Sequence, residues 1–226
     1  MWNVPNSRVL LINDDAFELA TLASAMRLHG VNVVGEANNY LLAENLFKTL
    51  KPDVVVIDVQ FNTHGGVPFA IKLRKVNPLV GLVLTTACPD LRLLGLEEKD
   101  IPMGTQIVLK RSVGDIDIIR DAIPDSFKAI KAKEKMGWMN EHSSLHENSF
   151  ISILHDLTDI QIETLRLLSL GLSNGEIGRT RFVSEKSVEQ IVARIAQHLG
   201  ITPDRKHNLR VLIAGQYFKW IGAPRH

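Results

Sequence analysis

The sequence predicts an α/β domain with a doubly wound, five-stranded parallel sheet, followed by a smaller all-α domain of four helices. Short apolar runs rich in β-branched residues, such as Val54–Ile57, are typical of strands buried on both faces of a parallel sheet. In the first half of the chain these runs alternate with segments of helical spacing, and this alternation indicates a sheet covered by helices. Residues 157–226 show helical patterns only.

The strands of the first domain are predicted from apolar runs that follow one another along the chain. The first run, Val9–Ile12, precedes a helical pattern over residues 17–28, which stops at Gly30 as helices commonly do. The later runs are Val31–Val34, Val54–Ile57, Gly81–Leu84 and Ile107–Leu109. Further helices are predicted over residues 40–50, 67–76 and 115 to about 131. In the expected strand order 2-1-3-4-5, the first and third strands are neighbours.

Polar residues directly follow four of these strands. They are Asp14 and Asp15, Asp58, Thr85 and Lys110. The carboxyl ends of parallel strands meet at one edge of the sheet, where α/β proteins bind ligands. Clustered carboxylates repel one another unless a cation joins them, and oxygen ligands suit Mg²⁺. The pattern predicts a site where Asp58 attacks a phosphoryl group whose oxygens contact Lys110 and Thr85.

Composition and charge predict a globular protein with two different kinds of site. The chain is 45% hydrophobic and 23% charged. Residues 1–125 carry 12 basic and 15 acidic residues, whereas residues 157–226 carry 10 and 6. The acidic part favours a cation or phosphate site, and the basic part favours a polyanion partner. The chain has a single cysteine, Cys88, and it has neither a signal-peptide pattern nor an apolar run long enough to span a bilayer. These features predict a cytoplasmic protein.

Residues 8 to about 125 resemble the receiver domain of bacterial two-component response regulators. The matching pieces lie at strand ends: Leu11–Asp15, Val56–Asp58, Leu84–Thr85 and Leu109–Lys110. The resemblance implies that Asp58 accepts a phosphoryl group from a sensor histidine kinase. It implies that the Mg²⁺ ligands are Asp14, Asp15, Asp58 and the backbone carbonyl of Gln60. It also implies that Thr85 and Lys110 sense the phosphorylated state.

The sequence departs from the receiver pattern in the region that reads out phosphorylation. Receivers usually have Met-Pro soon after the phosphorylated aspartate, where this chain has Phe61-Asn62, and an aromatic switch residue where it has Ile107. The segment from Cys88 to Thr105 contains two prolines and two glycines, which leave space for only a short helix. We therefore expect an intact acidic site with an altered readout. A receiver gated by a ligand or partner, without phosphorylation, is an alternative.

The C-terminal part is predicted to be a four-helix domain that begins after a linker. Residues 126–156 are interpreted as a helical extension and an exposed linker, between domains at 1–125 and 157–226. His142 and His146 have helical spacing, but without a third ligand we interpret them as solvated. Thr158 with Gln161, and Ser173 with Glu176, form capping-box patterns.

A helix-turn-helix is predicted within this domain. Ser184 caps a helix whose apolar side must be buried: Val188, Val192, Ile195 and Leu199. A short helix, a turn and an exposed polar helix in a basic unit are typical of that motif. Leu157 to about Tyr217 resembles the LuxR-type (NarL/FixJ-like) DNA-binding domain, through Leu170–Ile177 and Val183–Val188.

The LuxR-type resemblance implies that residues 184–197 are a recognition helix for double-stranded DNA. The candidate contacts are Arg179, Arg181, Ser184, Lys186, Ser187, Glu189, Gln190 and Arg194. Glu189 is a departure, since relatives often carry a basic residue there. A homodimer is expected, because two half-sites add their binding energies.

These features together predict a transcriptional regulator of a two-component system that is controlled by phosphorylation of Asp58 and is not an enzyme. A phosphatase with an aspartyl nucleophile is less consistent with the sequence. It would need an acid, a base and a substrate pocket beside Asp58, and it would leave the helix-turn-helix unexplained.

Overall fold

The structure is a computed structural model that describes residues 7–62, 65–110, 116–139, 153–154, 156–202 and 204–221. The chain divides into two compact units. Residues 1–86 and 98–141 form the first unit, and residues 87–97 and 142–226 form the second. Each unit has its own hydrophobic core. Among the described residues, no helix is both long enough and apolar enough to cross a bilayer.

The first unit contains a parallel sheet in the order β2-β1-β3-β4-β5-β6. Its strands are β1 (Arg8–Ile12), β2 (Asn32–Ala37), β3 (Val54–Asp58), β4 (Gly81–Thr86), β5 (Gln106–Leu109) and β6 (Gly137–Trp138). The predicted order of the first five strands is confirmed, whereas the predicted strand count of five is wrong. The sixth strand is only two residues long and pairs with Gln106 and Ile107 at the sheet edge. So short a segment has no alternating pattern from which a strand could be predicted.

Helices cover this sheet, which explains why β3 and β4 are buried along their whole length. The helices are α1 (Ala16–Leu28), α2 (Tyr40–Leu50), α3 (Gly66–Val76) and α4 (Ile116–Ala132). The side chain of Asp15 caps α1, and that of Asn39 caps α2. Helix α4 continues past residue 125, so part of the predicted helical extension belongs to the first unit. His142 and His146 lie outside the described residues.

The connection from β4 to β5 contains only two short 3-10 helices, Leu91–Leu94 and Glu98–Asp100. The prediction of a short helix in this breaker-rich segment is therefore confirmed. Residues 87–97 group with the second unit, whereas the sequence placed them inside a first domain of residues 1–125. The reason is burial: Cys88 and Leu93 lie in the helical core of the second unit.

The second unit contains the helices α5 (Asp159–Ser169), α6 (Asn174–Arg181), α7 (Glu185–His198) and α8 (Leu209–Ile221). The capping box of Thr158 and Gln161 is present. In the second predicted box only the Ser173 half forms, because the Glu176 carboxylate pairs with Arg179 at 3.0 Å. The buried core is built around large side chains from all four helices: Leu165, Ile177, Val188, Ile195, Ile213 and Trp220.

The turn between α6 and α7 depends on two backbone features. Phe182 has a left-handed conformation, with φ of 58°, and ends α6. A Cβ atom on Gly178 would lie 2.7 Å from the backbone oxygen of Val183, so a larger residue at position 178 would push the turn away from α6. The structure thus contains the predicted short helix, tight turn and following helix.

Candidate functional site

Asp58 is the last residue of β3 and is buried, with 2% of its surface exposed. Its Oδ1 atom accepts a hydrogen bond from the backbone N–H of Gln60 at 2.9 Å, and its Oδ2 atom contacts the Nζ atom of Lys110. A buried carboxylate is costly without a partner, and the Lys110 ammonium provides the compensating charge. The structure therefore places an anion and a cation together at the carboxyl ends of β3 and β5.

Lys110 has a second carboxylate neighbour that the sequence did not predict. Its Nζ atom lies 2.9 Å from Oε1 of Glu18, in the first turn of α1, and the lysine side chain is 14% exposed. An acidic residue in a first helical turn is common, because it interacts favourably with the helix dipole. Residue type and position therefore gave no signal that Glu18 would pair with a lysine almost a hundred residues away in the sequence.

Asp14 and Asp15 have different roles at the end of β1. Asp14 is exposed, and its Oδ2 atom accepts a hydrogen bond from the backbone N–H of Asn62 at 3.1 Å. Asp15 is half-buried and caps α1 by accepting from the N–H of Glu18 at 2.8 Å. Asp14 and Asp58 are thus both bound to the loop of residues 59–62. Within the described residues, no three His, Cys, Asp or Glu side chains form a group that could hold a metal ion.

Thr85 lies directly beside Asp58 in the sheet, because these two residues pair in the register of β3 and β4. It is buried, and with Lys110 and Glu18 it lines a cavity of about 240 Å³. The rest of this cavity is lined mainly by apolar side chains of α1 and α4. The cavity gives a small group room to reach the hydroxyl and ammonium groups beside Asp58.

Ile107, at the position of the usual aromatic switch residue, is fully buried in β5. It pairs with Leu84 of β4 on one side and with Trp138 of β6 on the other. An aliphatic side chain fixed between two strands does not present the ring that the receiver pattern would use. The altered readout itself stays a prediction.

Helix α7 separates a buried apolar side from an exposed polar side. Val188, Val192 and Ile195 are buried. The exposed residues are Glu185, Lys186, Glu189, Gln190, Ala193, Arg194, Gln197 and His198. Ser184 caps the helix by accepting from the N–H of Ser187 at 3.1 Å, and the two hydroxyl oxygens lie 2.8 Å apart. The serine hydroxyls are thus occupied in the cap, while the longer polar side chains face outward.

The two arginines of α6 are placed differently from each other. Arg179 is exposed and pairs with Glu176. The Nη1 atom of Arg181 donates to the backbone oxygen of Ile160 at 3.1 Å and to the hydroxyl of Thr164 at 2.6 Å. Arg181 therefore joins α6 to α5, a structural role that its position in the motif did not indicate.

No protein-family model matches the chain. The DNA-binding transcriptional activator DevR/DosR of Mycobacterium tuberculosis is 29% identical over 180 residues, covering 76% of this chain and 77% of that protein. The chemotaxis protein CheY of Thermotoga maritima is 31% identical over 80 residues, covering 35% of this chain and 67% of CheY. A protein-glutamate methylesterase/protein-glutamine glutaminase of Xanthomonas oryzae is 26% identical over 209 residues, and the chain spans 55% of it.

Among solved structures, the two-component response regulator RcsB in complex with DNA has a TM-score of 0.53 and 19% identity. The match covers 96% of this chain and all of that one. This likeness shows the fold, and the CheY match covers two thirds of a receiver protein at 31% identity. Together with the strand order and the site at the carboxyl ends of the strands, these matches show that the chain belongs to the response regulators of two-component systems.

Proposed function

We propose that the chain is a transcriptional regulator that binds DNA through its second unit and is controlled by phosphorylation of Asp58 in its first. The observation that carries this proposal is the buried Asp58 carboxylate, held beside the Lys110 ammonium at the carboxyl edge of the sheet. The similarity to DevR/DosR, which is a DNA-binding transcriptional activator, supports the same function.

The chemistry at Asp58 is a phosphoryl transfer to a carboxylate. An Oδ atom of Asp58 attacks phosphorus, the new P–O bond forms, and the bond to the leaving group of the donor breaks with its electron pair. Lys110 exchanges its ion pair with Asp58 for one with the phosphoryl oxygens. The hydroxyl of Thr85 donates a hydrogen bond to one of these oxygens. The loss of the original pair changes the contacts at the ends of β3, β4 and β5.

The donor atoms around Asp58 suit Mg²⁺, which takes oxygen ligands and needs only one or two carboxylates beside its bound waters. Asp14, Asp58 and the backbone carbonyl of Gln60 would hold it. The predicted third carboxylate, Asp15, caps α1, and the three described side chains do not form one group that could hold a metal ion. The fit is supported by Asp14 and Asp58, whose carboxylates are both bound to the loop of residues 59–62. When bound, the ion would neutralise charge on the phosphoryl group.

DNA recognition is assigned to the exposed side of α7. Lys186, Gln190 and Arg194 lie on that side, and residues 157–226 carry a net charge of +4. A protruding polar helix behind a short helix and turn can enter the major groove, while basic residues contact phosphates. The proposed surface also includes Arg179, Ser184, Ser187 and Glu189. Arg181 is the remaining candidate, and its side chain is bound to Thr164 of α5.

The partners that belong to this function are double-stranded DNA, a sensor histidine kinase and a second copy of the chain. The cytoplasm is the compartment in which these partners meet. The test of the whole proposal is the DNA sequence that the full chain selects from random fragments, with and without acetyl phosphate and Mg²⁺. Selection of one sequence, with an affinity that changes on phosphorylation, is expected. Uniform binding to all fragments would contradict it.

Gln190→Ala and Lys186→Ala should weaken DNA binding in different ways. The Gln190 amide can bond N6 and N7 of adenine together, a contact worth roughly 1–3 kcal/mol of discrimination. Lys186, nearer the start of α7, is better placed to contact a phosphate. Gln190→Ala is therefore expected to reduce the affinity difference between selected and random DNA. Lys186→Ala is expected to weaken both and to lower the salt slope by about one unit.

Titrations of both variants against both DNAs, at several salt concentrations, measure these effects in the full chain. Gln197→Ala provides a matched control, because Gln197 is another exposed glutamine of α7, nearly two turns farther along the helix. Equal losses on selected and random DNA for Gln190→Ala would show that another side of α7 reads the bases.

A further inference from the structure

We propose that Phe182, at the turn between α6 and α7, contacts DNA by packing its ring against the C5-methyl group of a thymine in the major groove. This role rests on the proposed function, since it adds an apolar residue to the DNA-binding surface assigned to α7. Three observations carry it: the exposure of the ring, the conformation of its backbone and its position directly before α7.

The ring of Phe182 is not part of the core of the second unit. Phe182 is 96% exposed, which makes it the most exposed large apolar residue among those described. Tyr217 and Trp220, by contrast, are buried in that core. Since an exposed ring gains none of the stabilisation that burial provides, packing within the folded chain does not account for a phenylalanine at this position.

The backbone at residue 182 has a conformation that favours other residue types. Its φ of 58° lies in the left-handed region, which glycine and asparagine adopt far more readily than a residue with a bulky side chain. The backbone N–H of Val183 donates to the oxygen of Gly178 at 2.9 Å and holds the chain in this turn. Neither burial nor backbone geometry therefore explains the phenylalanine, and residues that break local rules in this way are expected at functional sites.

Phe182 lies next to the end of α7 that would enter the major groove. A recognition helix contacts base edges mainly through its N-terminal residues. Ser184, only two residues after Phe182, is the N-cap of α7, so their Cα atoms are at most about 7 Å apart. Val183, between them, is exposed as well. A ring that projects from this turn can therefore reach a base pair beside those that α7 contacts.

The charges around the turn favour an uncharged part of the DNA as the partner of the ring. Arg179 and Lys186 are exposed on either side of Phe182, but Glu176 pairs with Arg179, and the acidic Glu185 lies in the first turn of α7. Acids and bases thus nearly balance beside the ring, which does not suit a phosphate. The thymine C5-methyl group is the apolar group that base edges present in the major groove, and phenylalanine is among the residues that pack against it.

The test compares the parent with Phe182→Asn, both as the full chain, on the selected DNA and on copies in which each thymine in turn is replaced by deoxyuridine. Deoxyuridine pairs as thymine does and lacks only the C5-methyl group. For the parent, loss of the contacted methyl group should raise the Kd about fourfold, the ratio that corresponds to burial of one such group. Phe182→Asn should bind the selected DNA with a similarly raised Kd and should not respond to the same replacement.

Urea unfolding of the same proteins separates a DNA contact from a structural role. Asparagine accepts the left-handed conformation more readily than phenylalanine, so Phe182→Asn should unfold at the same or a higher urea concentration than the parent. Leu170→Asn is the matched control, because Leu170 follows α5 as Phe182 follows α6 and is 62% exposed. It should keep the parental Kd and the parental response to every replacement of thymine.

The deciding quantity is the difference between the parent and Phe182→Asn in their response to deoxyuridine. Equal responses at every thymine, or a parent that responds at none, would overturn the role of Phe182 and leave the proposed function intact. A parent that binds all fragments uniformly would instead contradict the proposed function. If Phe182→Asn does not fold, Phe182→Gly takes its place, because glycine also adopts a φ of 58° without strain.

Discussion

Asp58→Asn is expected to reduce phosphoryl uptake from acetyl phosphate to background. The asparagine amide has almost the shape of the carboxylate but is neutral and is not a nucleophile, so no P–O bond can form. The Lys110 ammonium would keep Glu18 as its anionic neighbour, which limits the structural cost of the change. Labelled acetyl phosphate with intact-protein mass measurement detects the product, and uptake in the parent should also disappear when Mg²⁺ is removed.

Asp53→Asn is the matched control for this substitution. Asp53 stands just before the opposite end of β3, where its Oδ2 atom accepts from the backbone N–H of Arg8 at 2.8 Å. It therefore tests the loss of a carboxylate next to the same strand, away from Lys110 and Thr85. Asp53→Asn should take up the phosphoryl label from acetyl phosphate to the same extent as the parent protein. Label retained by Asp58→Asn at the parental level would show that the phosphoryl group is accepted elsewhere.

Gly66→Ala is expected to destabilise the first unit and to disturb the position of Asp58. A Cβ atom at residue 66 would lie 2.1 Å from the backbone oxygen of Asp58 and 3.0 Å from its carbonyl carbon. Both atoms belong to the backbone, so no rotamer change can relieve the overlap, and the start of α3 must move away from the end of β3. Overpacking typically costs about 1–3 kcal/mol, and a backbone clash belongs at the upper end of this range.

Urea unfolding followed by circular dichroism measures this loss, and acetyl phosphate labelling measures its effect on Asp58. Gly215→Ala is the control, because nothing lies within 4 Å of a Cβ atom at that position in α8. Alanine there should leave stability unchanged or raise it slightly, since glycine is the poorer helix former. Gly66→Ala with parental stability and labelling would mean that α3 can shift without moving Asp58.

Much of the candidate site could be predicted from the sequence, because its residues occupy one kind of position. Asp58, Thr85 and Lys110 each stand at or next to the carboxyl end of a strand, and parallel strands bring those ends to one edge. Apolar periodicity and strand-end position are local properties of a sequence. The sequence predicted that Lys110 lies at the same edge as Asp58, whereas the direct ion pair between them is a finding of the structure.

Glu18 and Arg92 could not be predicted, because their partners are set by packing. Glu18 has the sequence position of an ordinary first-turn acid, and only the meeting of α1 with β5 places it 2.9 Å from Lys110. Arg92 lies three residues after Pro89, in a segment whose prolines and glycines predicted only a short helix. Besides the nearby Asp90, it binds acceptors on Leu154, Leu157 and Asp159, which are more than 60 residues away in the sequence. No periodic pattern and no motif in the sequence indicates either contact.

The sequence by itself determined the parallel sheet and the helix-turn-helix, since these follow from periodicity, caps and turn residues along single segments. The order of the first five strands was expected from the common arrangement of doubly wound sheets. The tertiary structure alone decided that β6 joins the sheet edge and that residues 87–97 lie in the core of the second unit. The physical reason is that burial of Cys88 and Leu93 depends on which apolar surfaces are available to them. An apolar residue indicates that it will be buried, but not against which part of the chain.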